Sequence, residues 1–130
     1  MAVSELRKND MMAHLLDALE QGKDIGHYGR LVFAMVARHF MGEGELLKLL
    51  AKGKSFDEAQ AKTLVAQVQS RDYNPPKREK ILQYLQEQKF PICPEPDDPN
   101  ACNVYRDLKF PQDVYNKINE FYQQKAEVNA

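Results

Sequence analysis

The chain has 130 residues, of which 43% are hydrophobic and 28% charged, and its formal net charge is −1. A chain of this length buries enough surface to fold without a metal or a disulfide, so we expect one domain over residues 1–130 with its core at about 9–125. Apolar runs are short and charges interrupt residues 1–20, so we expect neither a membrane span nor a secretory signal. With only two cysteines, a cytoplasmic location without membrane contact is the default. The near-neutral charge argues against a protein that coats long nucleic acid, but it permits a local phosphate site.

Apolar positions in the first forty residues recur at helical spacing, which predicts two helices. Asn9 or Asp10 can cap the first, because their side chains accept hydrogen bonds from exposed backbone N–H groups. Gly22 can end it, because glycine accepts the left-handed conformation of a C-terminal cap. The second helix is expected from about Ile25 to Phe40. Its predicted buried stripe consists of Tyr28, Leu31, Val32, Met35 and Val36.

Two more helices are predicted in the middle of the chain. A short one follows the break at Gly42 and ends at Gly53. The next opens with a capping box, in which Ser55 and Glu58 satisfy exposed backbone donors reciprocally. Its predicted buried positions are Ala61, Leu64, Val65 and Val68.

Prolines shape the last part of the chain. The sequence Asn74-Pro75-Pro76 predicts an extended segment, with Pro76 in the first turn of a fifth helix. Residues 90–111 hold five prolines and both cysteines, which favours a fixed irregular loop, and a last helix is expected at about 112–125. The predicted fold class is therefore all-α, a compact bundle of five to six helices with a proline-rich irregular loop near residues 90–111.

His27 and Arg30 are the most distinctive polar pair. They lie one turn apart at the start of the second helix, on a face opposite the apolar stripe, and Arg38 continues that face. A helix N-terminus favours anions, and an arginine fork beside it can hold a phosphate bidentately. Spacing alone favours a plainer role, a solvated helix face on which the arginine pairs with a glutamate.

Aromatic and basic residues interleave further along the chain. The aromatic residues Tyr73, Tyr105, Phe110 and Tyr115 can stack on unpaired bases or simply pack in the core and loops. Basic residues flank Tyr73, which slightly favours nucleic acid over an ordinary solvated face; they are Arg71, Lys77, Arg78 and Lys80. No carboxylate set for two-metal phosphoryl transfer is recognisable, so we do not expect an enzyme.

Cys93 and Cys102 lie in the proline-rich loop. Two cysteines are too few for a zinc site or an iron–sulfur cluster, which need about four ligands. Buried, inert thiols are favoured over a disulfide in a reducing cytosol. A metal or redox protein that uses both thiols stays open as a third alternative.

Taken in chain order, these motifs resemble the C-terminal, iron–sulfur domain of the archaeal and eukaryotic DNA primase large subunit. The likeness covers about residues 9–122. Its motifs are the helix ending at Gly22, His27-Tyr28-Gly29-Arg30, Phe56-Asp57-Glu58, Tyr73-Asn74-Pro75, Cys93-Pro94, and Cys102 followed by Leu108-Lys109-Phe110-Pro111.

The resemblance implies a domain that has lost its cofactor. The family's first and second cluster cysteines fall at Met11 and Arg78, and neither side chain replaces a thiolate. Cys93 and Cys102 would then be remnants of the cluster site, with no metal and no cofactor bound. Small accessory subunits without the cluster occur in this family, and the chain is similar to them.

The resemblance also implies a function. It suggests a non-catalytic accessory subunit of a primase or primase-polymerase, which binds single-stranded DNA template and the 5′-triphosphate of the initiating nucleotide. The partners would be a separate catalytic subunit, single-stranded DNA and a nucleoside triphosphate. The implied site residues are His27 and Arg30 for the triphosphate, and Arg38, Arg71, Tyr73, Lys77 and Arg78 for the template. The alternative is a protein-interaction adaptor that kept the fold without nucleic-acid binding, which the near-neutral charge and the missing cysteines favour.

Overall fold

The computed structural model describes residues 2–54, 56–99 and 101–118, with the backbone alone at residues 2 and 3. Within these ranges the regular secondary structure is all helical, which confirms the predicted all-α class. In chain order the helices are α1 (Ala2–Leu6), α2 (Asp10–Glu20), α3 (Gly26–Ala37), α4 (Glu43–Leu50), α5 (Glu58–Ser70), α6 (Arg78–Gln86), α7 (Val104–Asp107) and α8 (112–118). None of these helices has the length and apolar character that crossing a membrane requires.

All six predicted helices form, and the described residues add two short ones. The first, α1, extends the core to Leu6, which is fully buried and precedes the predicted start of the core at residue 9. The second, α7, interrupts the loop expected over 90–111. Asn103 caps α7, because its side-chain oxygen accepts a hydrogen bond from the Arg106 N–H at 3.3 Å. The predicted end of the last helix, near residue 125, lies outside the described residues.

Helix α3 is the central helix of the bundle. Every residue from Gly29 to Ala37 is buried, and α3 packs against α2, α4, α5 and α6. The prediction of one apolar stripe with a solvated opposite face was therefore wrong. The sequence 31–37 is apolar without interruption, and a helix that is apolar all round is a buried one. Arg30 lies inside this buried surface rather than on a solvated face.

The two ends of α2 agree with the predicted caps. Asn9 is fully buried, and its side-chain oxygen accepts a hydrogen bond from the Met12 N–H at 3.0 Å. Its amide nitrogen also donates to Asp107 Oδ2 at 2.9 Å, which ties α2 to α7. Gly22 ends the helix with a φ of +73°, in the left-handed region that glycine adopts at little cost.

The start of α5 differs from the predicted capping box. The pair is Asp57 and Gln60, each of whose side chains accepts a hydrogen bond from the backbone N–H of the other, at 2.8 and 2.9 Å. Glu58 is the first residue of the helix, and Ser55 lies outside the described residues. The four predicted apolar positions of α5 are all buried. At α6 the N-cap is Lys77, so Pro76 lies just before the helix rather than in its first turn.

A disulfide between Cys93 and Cys102 closes the loop that joins α6 to α7. The two Cα atoms lie 5.8 Å apart, within the range that a disulfide spans. The expectation of free, inert thiols was therefore wrong, although both residues are buried as expected. Cys102 has a φ of +65°, a left-handed turn that brings the chain back to Cys93.

Candidate nucleic-acid interface

The predicted site residues fall in three separate places. The N-terminal end of α3 holds His27 and Arg30, its C-terminal end holds Arg38 with Arg71 and Tyr73, and the start of α6 holds Lys77 and Arg78. His27 and Arg38 are eleven residues apart along one helix, which separates them by roughly 16 Å along its axis. These residues do not form a single continuous site.

Arg30 is bound within the protein. Its side chain is 8% exposed, and Nη2 lies 2.9 Å from Asp24 Oδ1. The guanidinium carbon lies 4.3 Å from the centroid of the Phe56 ring, a cation–π contact. The same Asp24 oxygen accepts a hydrogen bond from the Gly26 N–H at 3.0 Å. The carboxylate of Asp24 therefore occupies the place at this helix N-terminus where an anion would bind.

Gln88 satisfies other backbone groups at the same helix end. Its side-chain oxygen accepts a hydrogen bond from the Tyr28 N–H at 3.0 Å, and its nitrogen donates to the Ile25 carbonyl at 3.0 Å. Gly26 has a φ of +78°, and a Cβ there would lie 2.7 Å from Gln88 Oε1. The local fold thus requires a glycine at this position. His27 stays exposed and lines a recess of about 380 Å³ against α5.

Arg38 joins three helices at the other end of α3. Its Nη2 atom donates to Asp72 Oδ1 at 2.8 Å and to the Tyr73 carbonyl at 2.9 Å. Asp72 also pairs with Lys117 of α8. Burial lowers the pKa of Arg38. Arg71 Nη1 lies 3.4 Å from the Tyr73 hydroxyl.

His39 follows Arg38 and was not singled out by the sequence. Burial, and then the positive charges of Arg38 and Lys117, lower the pKa of His39 to about 4. Its Nε2 atom is buried and has no hydrogen-bond partner among the described residues. The imidazole is therefore neutral near pH 7, and its ring packs edge-on against Phe110 at 5.8 Å.

A groove beside α6 brings basic and aromatic residues together. It consists of two adjoining recesses of about 430 Å³ each, which share Lys77, Glu79, Tyr105 and Ile118. We call the two recesses the α6 groove. Its further lining residues are Arg78, Pro99, Asn103 and Tyr115 on one side and Asn74, Pro75, Pro76, Lys80 and Gln83 on the other.

Hydrogen bonds to the backbone hold both tyrosines of the α6 groove in place. The Tyr105 hydroxyl donates to the Pro75 carbonyl, and burial raises the pKa of Tyr105 to about 12. The Tyr115 hydroxyl accepts a hydrogen bond from the Phe110 N–H at 3.1 Å. The Phe110 ring lies between them, with centroids 5.3 Å from Tyr105 and 6.5 Å from Tyr115. The tyrosines are thus oriented without any ligand.

The charges lining the α6 groove are mainly positive. Lys77, Arg78 and Lys80 face one carboxylate, Glu79, and both lysines are exposed. Lys77 and Lys80 are three residues apart at the start of α6, so they lie on one side of the helix. A positive groove with aromatic side chains is the arrangement that binds single-stranded nucleic acid without strong sequence preference.

The residues at the family's cluster positions do not fit an iron–sulfur cluster. Met11 is fully buried in the core, and Cys93 is bonded to Cys102. Arg78 donates to two loop carbonyls. A four-iron cluster needs about four thiolates, and this set supplies none. In the part of the chain that the structure describes, no group of three or more His, Cys, Asp or Glu side chains is placed to hold a metal ion.

Comparisons with known proteins identify no relative of this chain. No family model matches it, and neither a curated protein nor a solved structure matches it. The likeness to the primase large subunit therefore depends on the order of the sequence motifs alone.

Proposed function

We propose that the chain is a non-catalytic accessory subunit or domain of a primase or primase-polymerase. It binds single-stranded template and the 5′-triphosphate of the initiating nucleotide, without a cofactor of its own, and a separate catalytic subunit makes the primer. The observation that carries the nucleic-acid part is the α6 groove, where lysines and fixed tyrosines line the same recess. The order of the sequence motifs supports the primase part.

The template strand is proposed to lie in the α6 groove. Each recess of about 430 Å³ is within the size range of small-ligand sites, so each can hold an unpaired nucleotide. Lys77 and Lys80 contact the phosphates, and Tyr105 and Tyr115 offer ring surface to bases. Tyr73 and Arg71 extend the proposed path, because Asn74 next to them already lines the groove.

The triphosphate is proposed to bind at the start of α3, where it replaces the carboxylate of Asp24. This carboxylate now accepts hydrogen bonds from the Gly26 N–H and Arg30, two donors that also suit a phosphate. The Asp24 side chain is 61% exposed, so it can rotate into solvent when a phosphate takes its place as the partner of Arg30. His27 is exposed beside this position.

A fluorescence-anisotropy titration with a short labelled single-stranded oligonucleotide at two salt concentrations tests the template part. We expect binding that weakens with salt, because released counterions drive phosphate contacts. Replacing both groove lysines, Lys77→Ala with Lys80→Ala, should weaken binding about tenfold, as two phosphate contacts are lost. The matched control is Lys48→Ala with Lys52→Ala at the end of α4, away from the α6 groove. If wild-type protein shows no binding at tens of micromolar, the template proposal fails and the adaptor alternative remains.

The triphosphate part is tested by comparing oligonucleotides with a 5′-triphosphate and with a 5′-hydroxyl. Asp24→Asn removes the competing carboxylate, so we expect it to increase the advantage of the triphosphate several-fold. Asp17→Asn is the control, because Asp17 is also exposed and pairs with an arginine, Arg7, at 2.9 Å. Equal results for the two variants would show that the triphosphate does not bind at α3.

A further inference from the structure

The loop that the disulfide closes is held against the start of α6. We call residues 93–99 and 101–102 the acidic loop. Arg78 Nη2 donates to the Pro96 carbonyl at 2.8 Å and to the Asp98 carbonyl at 3.2 Å, and the Cys93–Cys102 bond joins the ends of the loop. Both ends are buried in the core. The acidic loop therefore has a fixed position relative to α6.

The acidic loop forms one rim of the α6 groove. Pro99 lines the groove from the loop, and Lys77 lines it from α6. Asp98 directly precedes Pro99, and Glu95 and Asp97 are also exposed on this loop. Electrostatic screening acts over about 8 Å at physiological salt, so carboxylates at this rim act on a phosphate that enters the groove. Arg78 offsets part of the negative charge at the loop, so the rim at α6 attracts phosphate and the rim at the loop repels it.

The difference in charge between the two rims affects single-stranded and double-stranded nucleic acid differently. A single strand can place its only phosphate backbone along Lys77 and Lys80 and direct its bases toward the tyrosines. In a duplex, a second phosphate backbone lies across the minor or major groove of the DNA, about 6 or 12 Å away from the first. That backbone would lie over the rim that carries Glu95 and Asp97, where like charges repel.

From this arrangement we infer that the acidic loop makes the α6 groove selective for single-stranded over double-stranded nucleic acid. The inference rests on the proposed function, and it adds specificity-determining residues to it. Glu95 and Asp97 act through repulsion of the second backbone, which is a common way to exclude a competing ligand. Arg78 and the disulfide act by holding these carboxylates at the rim.

The test compares single-stranded and duplex oligonucleotides of one sequence, by anisotropy, for a variant with Glu95→Gln and Asp97→Asn. We expect its duplex affinity to rise about five- to tenfold and its single-strand affinity about twofold, because each exposed like-charge contact is worth a small factor. The control variant is Glu43→Gln with Glu45→Gln, which removes two exposed carboxylates from α4, outside the α6 groove. It should raise both affinities equally and by less than twofold.

The outcomes separate the inference from the proposed function. If wild-type protein binds single strands but the acidic-loop variant and the control change the duplex affinity equally, the loop does not select and the inference is overturned. If wild-type protein binds no single strand, the proposed function fails, and the inference fails with it. Circular dichroism of both variants checks that the fold is intact, which we expect because all four substituted residues are exposed.

Discussion

The two basic regions of this protein differ in how their charges are used. At the start of α3, Arg30 is buried, paired with Asp24 and stacked on Phe56. In the α6 groove, Lys77 and Lys80 are exposed beside tyrosines that the backbone already orients. A buried arginine needs a partner for the fold itself to be stable, whereas the ammonium groups of exposed lysines remain accessible to a ligand phosphate. The comparison teaches that a basic residue at a helix N-terminus indicates an anion site only after its own partners have been identified.

Because of this difference, substitutions in the two regions should have different effects on stability and on binding. Changes at the start of α3 should lower the free energy of unfolding and leave the affinity for a strand without a triphosphate unchanged, whereas changes in the α6 groove should act mainly on that affinity. The disulfide is the exception, because it stabilises the fold and also closes the acidic loop at the groove.

The largest effect is expected for loss of the disulfide. The variant with Cys93→Ala and Cys102→Ala should lose about 3 kcal/mol of unfolding free energy, because a closed loop of this size restricts the unfolded chain. Urea unfolding measures the loss. Wild-type protein treated with a dithiol reductant should lose a similar amount, and the variant should not respond to the reductant. An equal stability of reduced and oxidised wild type would contradict the prediction.

The next effect separates the two basic regions directly. Arg30→Ala should lower the unfolding free energy by about 2 kcal/mol, because it removes a buried ion pair and a cation–π contact. Lys77→Ala should change it by less than about 0.5 kcal/mol, as is usual for exposed positions. Affinity for an oligonucleotide without a triphosphate should follow the opposite order. Similar stability losses in both variants would remove the distinction between the regions.

His39, a half-buried histidine next to Arg38, should make the unfolding free energy depend on pH. The folded pKa of His39, about 4, lies below the ordinary value near 6.5, so the unfolded chain binds a proton more readily between these values. The contribution of neutral His39 to the unfolding free energy is therefore fully present above about pH 6.5. It is lost as the pH drops toward 4, and the loss is about 1.5 kcal/mol after allowance for solvent screening. Urea unfolding at both ends of this range measures it. The variant His39→Gln should lose this component, and an unchanged pH dependence in that variant would exclude His39 as the cause.

The smallest effect concerns a tyrosine of the α6 groove. Tyr105→Phe removes the hydrogen bond to the Pro75 carbonyl and leaves that carbonyl unpaired, which should cost about 1 kcal/mol of unfolding free energy. Because the ring remains, single-strand affinity should change less than twofold. A large loss of affinity would mean that the hydroxyl contacts the ligand, against the arrangement described above.

The helices could be predicted from the sequence because apolar periodicity and helix caps are local properties of the chain. The unbroken apolar run 31–37 also indicates burial of α3 on all sides, which the prediction of a single apolar stripe overlooks. Asp24 gave a weaker signal as a carboxylate six residues before Arg30, since spacing does not show which side chain reaches the other. Gln88, which holds the start of α3 from sixty positions away, gave no signal at all.

The α6 groove could be predicted only in part. Tyr105, Tyr115 and the basic residues at 77–80 were each recognised as candidates for nucleic-acid contact. Their proximity in the folded chain depends on long-range contacts, namely the Tyr105 hydrogen bond to Pro75 and the closure of the loop by Cys93 and Cys102. Two cysteines alone left free thiols and a disulfide both open, so the sequence did not determine this closure.

The most direct test of the central claim is a backbone-amide NMR titration of the protein with a single-stranded oligonucleotide that lacks a triphosphate. If the strand lies in the α6 groove, the amide resonances of residues 77–80, 103–105 and 115 should shift in a saturable manner, and those of residues 26–30 should not. Shifts concentrated at residues 26–30, with the groove amides unchanged, would contradict the account.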